Sequence, residues 1–148
     1  MNVSIIRVGD GDNLDVAELS RLASAEGHAF VARARAEWDS GVNRFDAPGE
    51  GLFVALTASG VVGLCGLNAD PFVEDPLVGR LRHLYVAPLW RYRGIGRSLV
   101  DTCLDLATGH FERVRLRTLD EGAARFYEAI GFHRIEEPDA THAMTLRH

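Results

Sequence analysis

Hydrophobic and polar residues along this chain switch repeatedly between two patterns. Short segments of alternating or continuous apolar residues are typical of β-strands, whereas apolar residues at i, i+3 and i+4 are typical of amphipathic helices. The succession of the two patterns predicts the element order βααβββαβαββ. A mixed order of this kind predicts an α/β (α+β) domain built around a central sheet. The strands are predicted over residues 3–8, 52–57, 61–67, 80–86, 113–119, 132–135 and 142–146.

Polar residues and glycines mark where the predicted helices begin and end. Asp12 or Asn13 is predicted to cap the first helix and Asp120 the last, because a short side-chain oxygen can accept a hydrogen bond from a free helix N–H group. Gly131 follows the last apolar residue of the fourth helix and is predicted to end it. The third helix is predicted to bury one apolar stripe, which consists of Leu99, Val100, Cys103, Leu104 and Ala107.

Length and composition are those of one globular domain, which we predict over residues 1–148. No apolar run approaches the ~18–20 residues of a membrane span, and the first residues lack the basic-then-apolar pattern of a signal peptide. We therefore expect a cytoplasmic location and no membrane partner. Cys65 and Cys103 stand apart, and no cysteine–histidine spacing typical of a metal site occurs, so the sequence predicts no metal.

Charge narrows the function classes further, because all 16 basic residues are arginine and the chain has no lysine. The absence of lysine excludes a Walker phosphate loop and Schiff-base catalysis. Residues 1–79 carry 5 Arg against 12 acids, a net charge of −7, whereas residues 80–148 carry 11 Arg against 9 acids, a net charge of +2. If the two parts form separate surfaces, the second suits a phosphorylated ligand and the first a cation; the alternative is an ordinary solvated surface. A net acidic chain without a dense basic run predicts no nucleic-acid partner.

The segment between the fourth predicted strand and the third predicted helix carries the candidate chemistry. It reads Leu-Trp-Arg-Tyr-Arg-Gly-Ile-Gly over residues 89–96. A helix N-terminus offers unpaired N–H groups and the positive end of the helix dipole, and glycines allow an anion to approach them. Arg91, Arg93 and Arg97 add positive charge, and Ser98 adds a hydroxyl group. The pattern predicts a site for a pyrophosphate group.

Two other glycine loops were compared with this segment. A dinucleotide-binding turn needs a third glycine directly after a strand, where this chain has Leu99, and a Walker loop needs a lysine. A tight turn without a ligand remains the plain alternative. A nucleotide-binding protein is therefore disfavoured.

The strand, the Val-x-Pro step, the Arg-x-x-Gly-x-Gly turn and the following helix resemble motif A of the GNAT superfamily of acyl-CoA N-acetyltransferases. Arg91, Gly94 and Gly96 occupy the positions of the family pattern. Residues 123–132, Ala-Ala-Arg-Phe-Tyr-Glu-Ala-Ile-Gly-Phe, resemble the A-x-x-F-Y-x-x-x-G-F run of the same superfamily. The resemblance covers residues 80–135. It implies a GNAT-type fold, with a central mixed, mostly antiparallel sheet flanked by helices and splayed where the cofactor inserts.

The resemblance also implies acetyl-CoA as co-substrate and assigns roles to individual residues. Tyr127 is the implied general acid. His83, a mid-strand histidine, is a second catalytic candidate for proton relay, with a structural role as the alternative. The implied cofactor-binding residues are Leu84, Tyr85, Val86, Arg91, Arg93, Gly94, Ile95, Gly96, Arg97 and Ser98. The chain departs from the family at Asp120, where many members have asparagine, and at Arg80, where many have the glutamate that acts as general base.

These features predict an N-acetyltransferase that moves an acetyl group to a primary amine of a small molecule or peptide by direct attack. The alternative is a non-catalytic acyl-CoA-binding module that regulates a partner. A homodimer is left open. Several acids are candidates for lining an acceptor pocket, with a solvated surface as the alternative for each: Glu26, Glu37, Asp39, Glu74 and Asp75.

Overall fold

The computed structural model describes residues 2–9 and 12–146. The order of its helices and strands is the predicted order. The strands are β1 Ser4–Arg7, β2 Gly51–Thr57, β3 Gly60–Ala69, β4 Val78–Val86, β5 Arg113–Leu116, β6 His133–Glu137 and β7 Ala140–Thr145, and the helices are α1 Ala17–Ala25, α2 Phe30–Ser40, α3 Ile95–Thr108 and α4 Glu121–Ile130.

The strands form one seven-stranded sheet in the order β1-β2-β3-β4-β5-β7-β6. Every neighbouring pair is antiparallel except β4 and β5, which are parallel. The prediction of a mixed, mostly antiparallel sheet is therefore confirmed. The parallel pair follows from the connection, because a crossover through the long helix α3 returns the chain in the same direction.

The sheet splays between β4 and β5. The two strands pair only from Val78–Arg113 to Arg80–Arg115, although β4 continues to Val86. No strand in the described part of the chain pairs with the β5-facing edge of β4 beyond Arg80. This edge is the position at which the fold leaves room for a ligand.

A β-bulge lies in β4 where the strand leaves its partner. Leu64 is opposite Tyr85 and Gly66 is opposite Arg82, so His83 and Leu84 together face the single residue Cys65. His83 has a left-handed backbone with φ of 65°. A bulge of this kind bends its strand and re-aims side chains, and it is common beside active sites.

Helix α3 covers the centre of the sheet, packing against β2, β3 and β4. Of the predicted apolar stripe, Leu104 is only half-buried, and the other members are fully buried: Leu99, Val100, Cys103 and Ala107. At Gly63 an added Cβ would lie 3.0 Å from Leu99 Cδ1, so the close packing of α3 on β3 favours glycine there. The helix start is thereby held at the top of β4.

Two details of the helix ends were predicted with different success. Asp120 caps α4 as predicted, since its Oδ2 accepts a hydrogen bond of 2.7 Å from the N–H group of Ala123. The predicted cap of α1 at Asp12 or Asn13 is wrong, because the helix begins only at Ala17 and its cap residue, Val16, provides no side-chain hydrogen bond. Leu14 and Val16 are buried before the helix starts, so this segment enters the core in an irregular conformation.

Candidate active site

A groove with a cavity volume of ≈ 940 Å³ opens where β4 leaves β5. Its floor is the second half of β4, and its walls come from the turn before α3, from α4 and from the start of α2. Most of the predicted site residues line it: His83, Leu84, Tyr85, Val86, Arg91, Gly94, Ile95, Gly96, Arg97 and Tyr127. The groove therefore brings together segments that the sequence separates by more than forty residues.

The backbone of Val86 faces the open edge of the sheet. Ala87 donates its N–H to the Val62 carbonyl at 2.8 Å, so Val86 and Gly63 form a non-hydrogen-bonded pair. The N–H and C=O groups of Val86 then point away from β3, toward the groove. The carbonyl accepts a hydrogen bond of 3.0 Å from Arg91 Nε.

The two glycines of the turn serve different purposes: Gly94 allows a left-handed backbone, and Gly96 leaves the groove free of a side chain. Gly94 has φ of 81°, a left-handed backbone that side chains disfavour, and an added Cβ would meet nothing within 4 Å. At Gly96 an added Cβ would lie 3.4 Å from Phe126 Cζ and 3.7 Å from Val86 Cγ2. It would therefore project across the groove between β4 and α4. These features fit the pyrophosphate of coenzyme A, because α3 begins here and its first N–H groups lack partners within the helix.

The predicted cofactor residue Arg91 has a protein partner. Its guanidinium contacts the Glu26 carboxylate at 2.5 Å and lies 5.4 Å from the centre of the Tyr85 ring. Hydrogen bonds from Arg91 and then from the Tyr85 hydroxyl lower the pKa of Glu26. Burial and the bond to Glu26 raise the pKa of Tyr85 to about 12. Arg91 was predicted to place its positive charge beside a phosphate group, but within the protein that charge is balanced by Glu26.

Glu26 is the one acid of the five acceptor-pocket candidates that lines this groove. Two predicted cofactor residues, Arg93 and Ser98, lie outside its lining. They line a second cavity of ≈ 410 Å³ on the far side of the turn, where the Arg93 guanidinium lies 4.9 Å from the centre of the Trp90 ring. The predicted cofactor set is therefore divided between two cavities that share Trp90, Gly94 and Ile95.

Tyr127 lies in the α4 wall, with 9% of its surface exposed. Its ring packs edge-on against Phe126 and Phe132, with centroid distances of 5.3 and 5.7 Å. Burial raises the pKa of its hydroxyl well above the ordinary value, so the group keeps its proton at neutral pH. No described residue forms a hydrogen bond with that hydroxyl. A buried phenol without a protein partner is available to a ligand in the groove.

His83 lies at the bulge in the groove floor, with 8% of its surface exposed. Its Nε2 is buried and has no hydrogen-bond partner among the described residues. Burial, and after it the charges of Arg82 and Arg33, lower the pKa of His83 to about 3. The ring is therefore neutral at neutral pH and is a weak proton acceptor.

Arg80, at the position of the family glutamate, belongs to a buried ionic cluster beneath the groove. It lies 3.5 Å from Asp70 and donates a hydrogen bond of 2.7 Å to the Asp139 carbonyl. Arg115 Nε contacts the same Asp70 carboxylate at 2.8 Å, and Arg115 Nη1 contacts Glu137 at 3.1 Å. This cluster was missed in the sequence because Asp70 and Arg115 are 45 positions apart and carry no motif. Arg80 cannot act as a base here.

The charge of the groove differs from the expectation based on the two parts of the chain. Residues 1–79 contribute only one acid, Glu26, and one arginine, Arg33, to its lining. The later residues contribute one further acid and an excess of arginines: Arg80, Arg82, Arg91, Arg97 and Arg117. The net acidity of the first part therefore lies elsewhere on the surface, and the groove itself is cationic.

The described residues contain neither a metal site nor a helix suited to span a membrane. Within residues 2–9 and 12–146, no group of three or more histidine, cysteine, aspartate or glutamate side chains is placed to hold a metal ion. No helix in that part of the chain combines the length and apolar character needed to cross a membrane.

Comparison with known proteins places the chain among acetyltransferases. The acetyltransferase (GNAT) domain family matches residues 48–134, more than half of the chain. The N-alpha-acetyltransferase RimI of Mycobacterium tuberculosis is 32% identical over 79 residues, which are 53% of this chain and 48% of that protein. The aligned part covers no more than about half the length of the curated relatives it matches, 48% of one and 22% of another.

Solved structures extend the likeness over the whole fold. The structure of an acetyltransferase from Exiguobacterium sp. 255-15 is 31% identical with a TM-score of 0.86, and the alignment covers 98% of this chain and 94% of that one. The N-acetylglutamate synthase of Neisseria gonorrhoeae, solved with coenzyme A and N-acetyl-glutamate, has a TM-score of 0.75 at 17% identity. It is covered over 36% of its length and all of this chain, and at that identity it shows the fold alone. This chain belongs to the GNAT acetyltransferase family.

Proposed function

We propose that residues 1–148 act as one domain that transfers the acetyl group of acetyl-CoA to a primary amine of a small molecule or peptide. The observation that carries the proposal is the groove, which has the glycine turn at one end and the unpartnered Tyr127 hydroxyl in its wall. A site that only bound a cofactor would have no need of a buried proton donor among the side chains that line it.

The glycine turn and β4 would hold the cofactor. The first N–H groups of α3 suit its pyrophosphate, and Gly96 keeps the groove between Val86 and Phe126 open. The outward N–H and C=O groups of Val86 suit the amide groups of an extended ligand, and the N–H also suits the oxygen of a carbonyl that gains negative charge. Arg97, beside the turn, adds positive charge.

Acetyl-CoA supplies a thioester whose carbonyl carbon is open to attack by an amine. In the transfer a C–N bond forms, the C–S bond breaks, the amine nitrogen loses a proton and the sulfur gains one. Tyr127 Oη holds a proton at neutral pH because burial raises its pKa, and it is the side chain best placed in the groove to give that proton to the departing sulfur.

Removal of the amine proton is assigned to no single side chain. Arg80 is a cation in an ionic cluster, and His83, with a pKa of about 3, is a poor base. The groove is open to solvent, so water can carry the proton away. We therefore expect the rate to follow the fraction of acceptor amine that is already neutral.

The test is release of free thiol from acetyl-CoA in the presence of a panel of primary amines, with the acetylated product identified by mass spectrometry. Amine-dependent thiol release that falls strongly in a Tyr127→Phe variant supports the proposal. Tight coenzyme A binding without thiol release from any amine favours the regulatory module instead. Absence of both binding and turnover contradicts the site itself.

A further inference from the structure

We infer that the acceptor is a primary amine that also carries a carboxylate group, which is held by Arg33 and Arg82 beside His83. This inference rests on the proposed function and names the substrate class of the same groove. It starts from the arginines that line the groove, because they differ in whether the protein itself balances their charge.

The arginines near the glycine turn have protein partners. Arg91 contacts Glu26 at 2.5 Å, and Arg97 contacts Asp101 at 3.4 Å. Arg80, in the floor, contacts Asp70 at 3.5 Å. Each of these guanidinium groups already has a counter-ion in the folded chain.

Among the described residues, Arg33, Arg82 and Arg117 have none, and of these Arg33 and Arg82 are the two that act on His83. Both line the groove, Arg33 from the exposed face of α2 and Arg82 from β4. Within residues 2–9 and 12–146, neither guanidinium group forms a hydrogen bond or an ion pair. Both lie close enough to His83 for their charges to lower its pKa. Two guanidinium groups from separate elements, without side-chain partners among the described residues, therefore line the groove near His83.

The two acids of the groove lining have partners within the chain. Glu26 is bound by Arg91 and Tyr85, and Asp120 accepts the capping hydrogen bond from Ala123 at 2.7 Å. A cationic part of an acceptor placed beside His83 would thus meet the positive charges of Arg33 and Arg82. An anionic part would meet the planar donor groups that bind carboxylates best.

The position along β4 suits a small acceptor. Arg82 and Val86, the proposed place of acetyl transfer, lie on one strand and are separated by the bulge at His83 and Leu84. A carboxylate at Arg82 and an amine at Val86 therefore fit one small acceptor. His83 supports the assignment, because its neutral ring has one N–H to donate and its Nε2 has no partner among the described residues.

The experiment compares amines that differ only in the charge of the distant group. The probes are 4-aminobutyrate, its amide 4-aminobutanamide, and 1,4-diaminobutane, assayed by thiol release at saturating acetyl-CoA. A charge-assisted contact contributes about 1.5–3 kcal/mol, so kcat/KM for the acid should exceed that for the amide by roughly 10- to 150-fold. The diamine should be the poorest of the three.

Variants connect that preference to the two arginines. Arg33→Gln and Arg82→Gln keep long polar side chains but lose the charge, and each should lower kcat/KM for the acid much more than for the amide. Arg35→Gln is the matched control on the same helix, since Arg35 pairs with Asp39 on the surface and does not line the groove. Arg125→Gln is the control on α4, again outside the lining. Neither control should change the ratio of acid to amide.

A binding measurement separates this inference from the proposed function. Calorimetry with coenzyme A present should show N-acetyl-4-aminobutyrate binding more tightly than N-acetyl-4-aminobutanamide, and the difference should shrink in Arg33→Gln and Arg82→Gln and at high salt. If amines are acetylated but the amide or the diamine is preferred, the inference is overturned and the acetyltransferase stands. If no amine releases thiol, the proposed function fails, and calorimetry still decides whether the carboxylate subsite exists.

Discussion

The ionic cluster beneath the groove and the groove itself both contain polar side chains, but those of the cluster bind one another and some of those in the groove have no partner in the described part of the chain. In the ionic cluster beneath the groove, Arg80 and Arg115 share the carboxylate of Asp70, whose side chain is completely buried, although Arg115 Nη2 has no partner among the described residues. In the groove, the Arg82 guanidinium and the Tyr127 hydroxyl have no hydrogen-bonding partner among the described residues. Polar groups satisfied inside the chain hold the fold together, whereas polar groups left unsatisfied beside a cavity are available to a ligand.

The difference explains why one arginine stands where the family places a base. Arg80 forms an ion pair with Asp70 and donates a hydrogen bond to the Asp139 carbonyl, and it thereby helps to hold the β6–β7 turn against β4. The chain therefore uses that position for stability. The proposed acetyl transfer depends instead on side chains of the groove. Variants can therefore test the ionic cluster and the groove separately.

The largest effect is expected for Tyr127→Phe. The ring remains, so its packing against Phe126 and Phe132 is retained, but the proton donor for the leaving sulfur is lost. Since general acids typically contribute ~10²–10⁴-fold, kcat should fall by about that factor with little change in the KM for acetyl-CoA. Steady-state thiol release measures both constants.

Two controls accompany that variant. A thioester with a more acidic thiol should recover part of the lost rate, because its sulfur needs the proton less. Chemical denaturation should show nearly unchanged stability. Full kcat combined with a clear loss of stability would instead show that the Tyr127 hydroxyl stabilises the fold and takes no part in the reaction.

Asp70→Asn should have the largest effect on stability. The amide keeps the size of the side chain but leaves Arg80 and Arg115 without their shared counter-ion in a buried site. Removing one partner of a buried ion pair typically destabilises by about 3–5 kcal/mol. Urea denaturation monitored by tryptophan fluorescence gives the free energy of unfolding.

The matched control is Asp101→Asn, which removes an ion pair with Arg97 in which both side chains are more than half exposed. A surface pair of this kind contributes ~0–1 kcal/mol, so the control should stay close to the parent. If Asp70→Asn and Asp101→Asn lower the free energy of unfolding equally, the ionic cluster does not stabilise the fold more than a surface ion pair.

Gly96→Val tests the groove by shape instead of charge. The new side chain would project between Val86 and Phe126, where an added Cβ meets only ordinary contacts at 3.4 Å or more. The fold should tolerate it, while the cofactor loses its approach to the start of α3. Loss of up to ~2 kcal/mol of anion binding at a helix N-terminus predicts a rise of about 30-fold in the Kd for coenzyme A. Unchanged binding by calorimetry in a folded variant would mean that the cofactor lies elsewhere.

Sequence patterns predicted the fold better than the site because they report on neighbours along the chain. The order of elements followed from hydrophobic period, and Gly94, Gly96 and Tyr127 lie in two contiguous motifs. The ionic cluster beneath the groove was not predictable, since Asp70 and Arg115 are 45 positions apart in the sequence. Nor was the presence of Arg33 and Arg82 in one groove lining, which depends on how α2 packs over β4.

Conformation was a second limit of the sequence. The bulge in β4 places a left-handed backbone at His83, where no glycine signals it. The irregular segment before α1 buries Leu14 and Val16, whereas the polar residues Asp12 and Asn13 had predicted an earlier helix start. In both places tertiary packing outweighed the local preference.

The smallest effect is expected for His83, and it depends on pH. The pKa of this histidine is lowered from the ordinary 6.5 to about 3 in the folded chain. The unfolded chain therefore binds a proton that the folded chain refuses, and stability is lost as the pH falls from 6.5 toward 3. The contribution is at most ~1.4 kcal/mol per pH unit, or about 2 kcal/mol at pH 5.

His83→Gln removes this dependence and keeps a hydrogen-bond donor. Relative to the parent chain, the variant should gain about 2 kcal/mol in free energy of unfolding when the pH is lowered from 7.5 to 5. The exposed His133→Gln serves as control and should show no such gain. Because a neutral imidazole of low pKa is a weak base, kcat/KM of His83→Gln at pH 7.5 should remain within about tenfold of the parent and keep the acidic limb of its pH profile. A loss beyond ~10³-fold together with disappearance of that limb would make His83 the general base, and the groove would then contain its own proton acceptor beside the donor Tyr127.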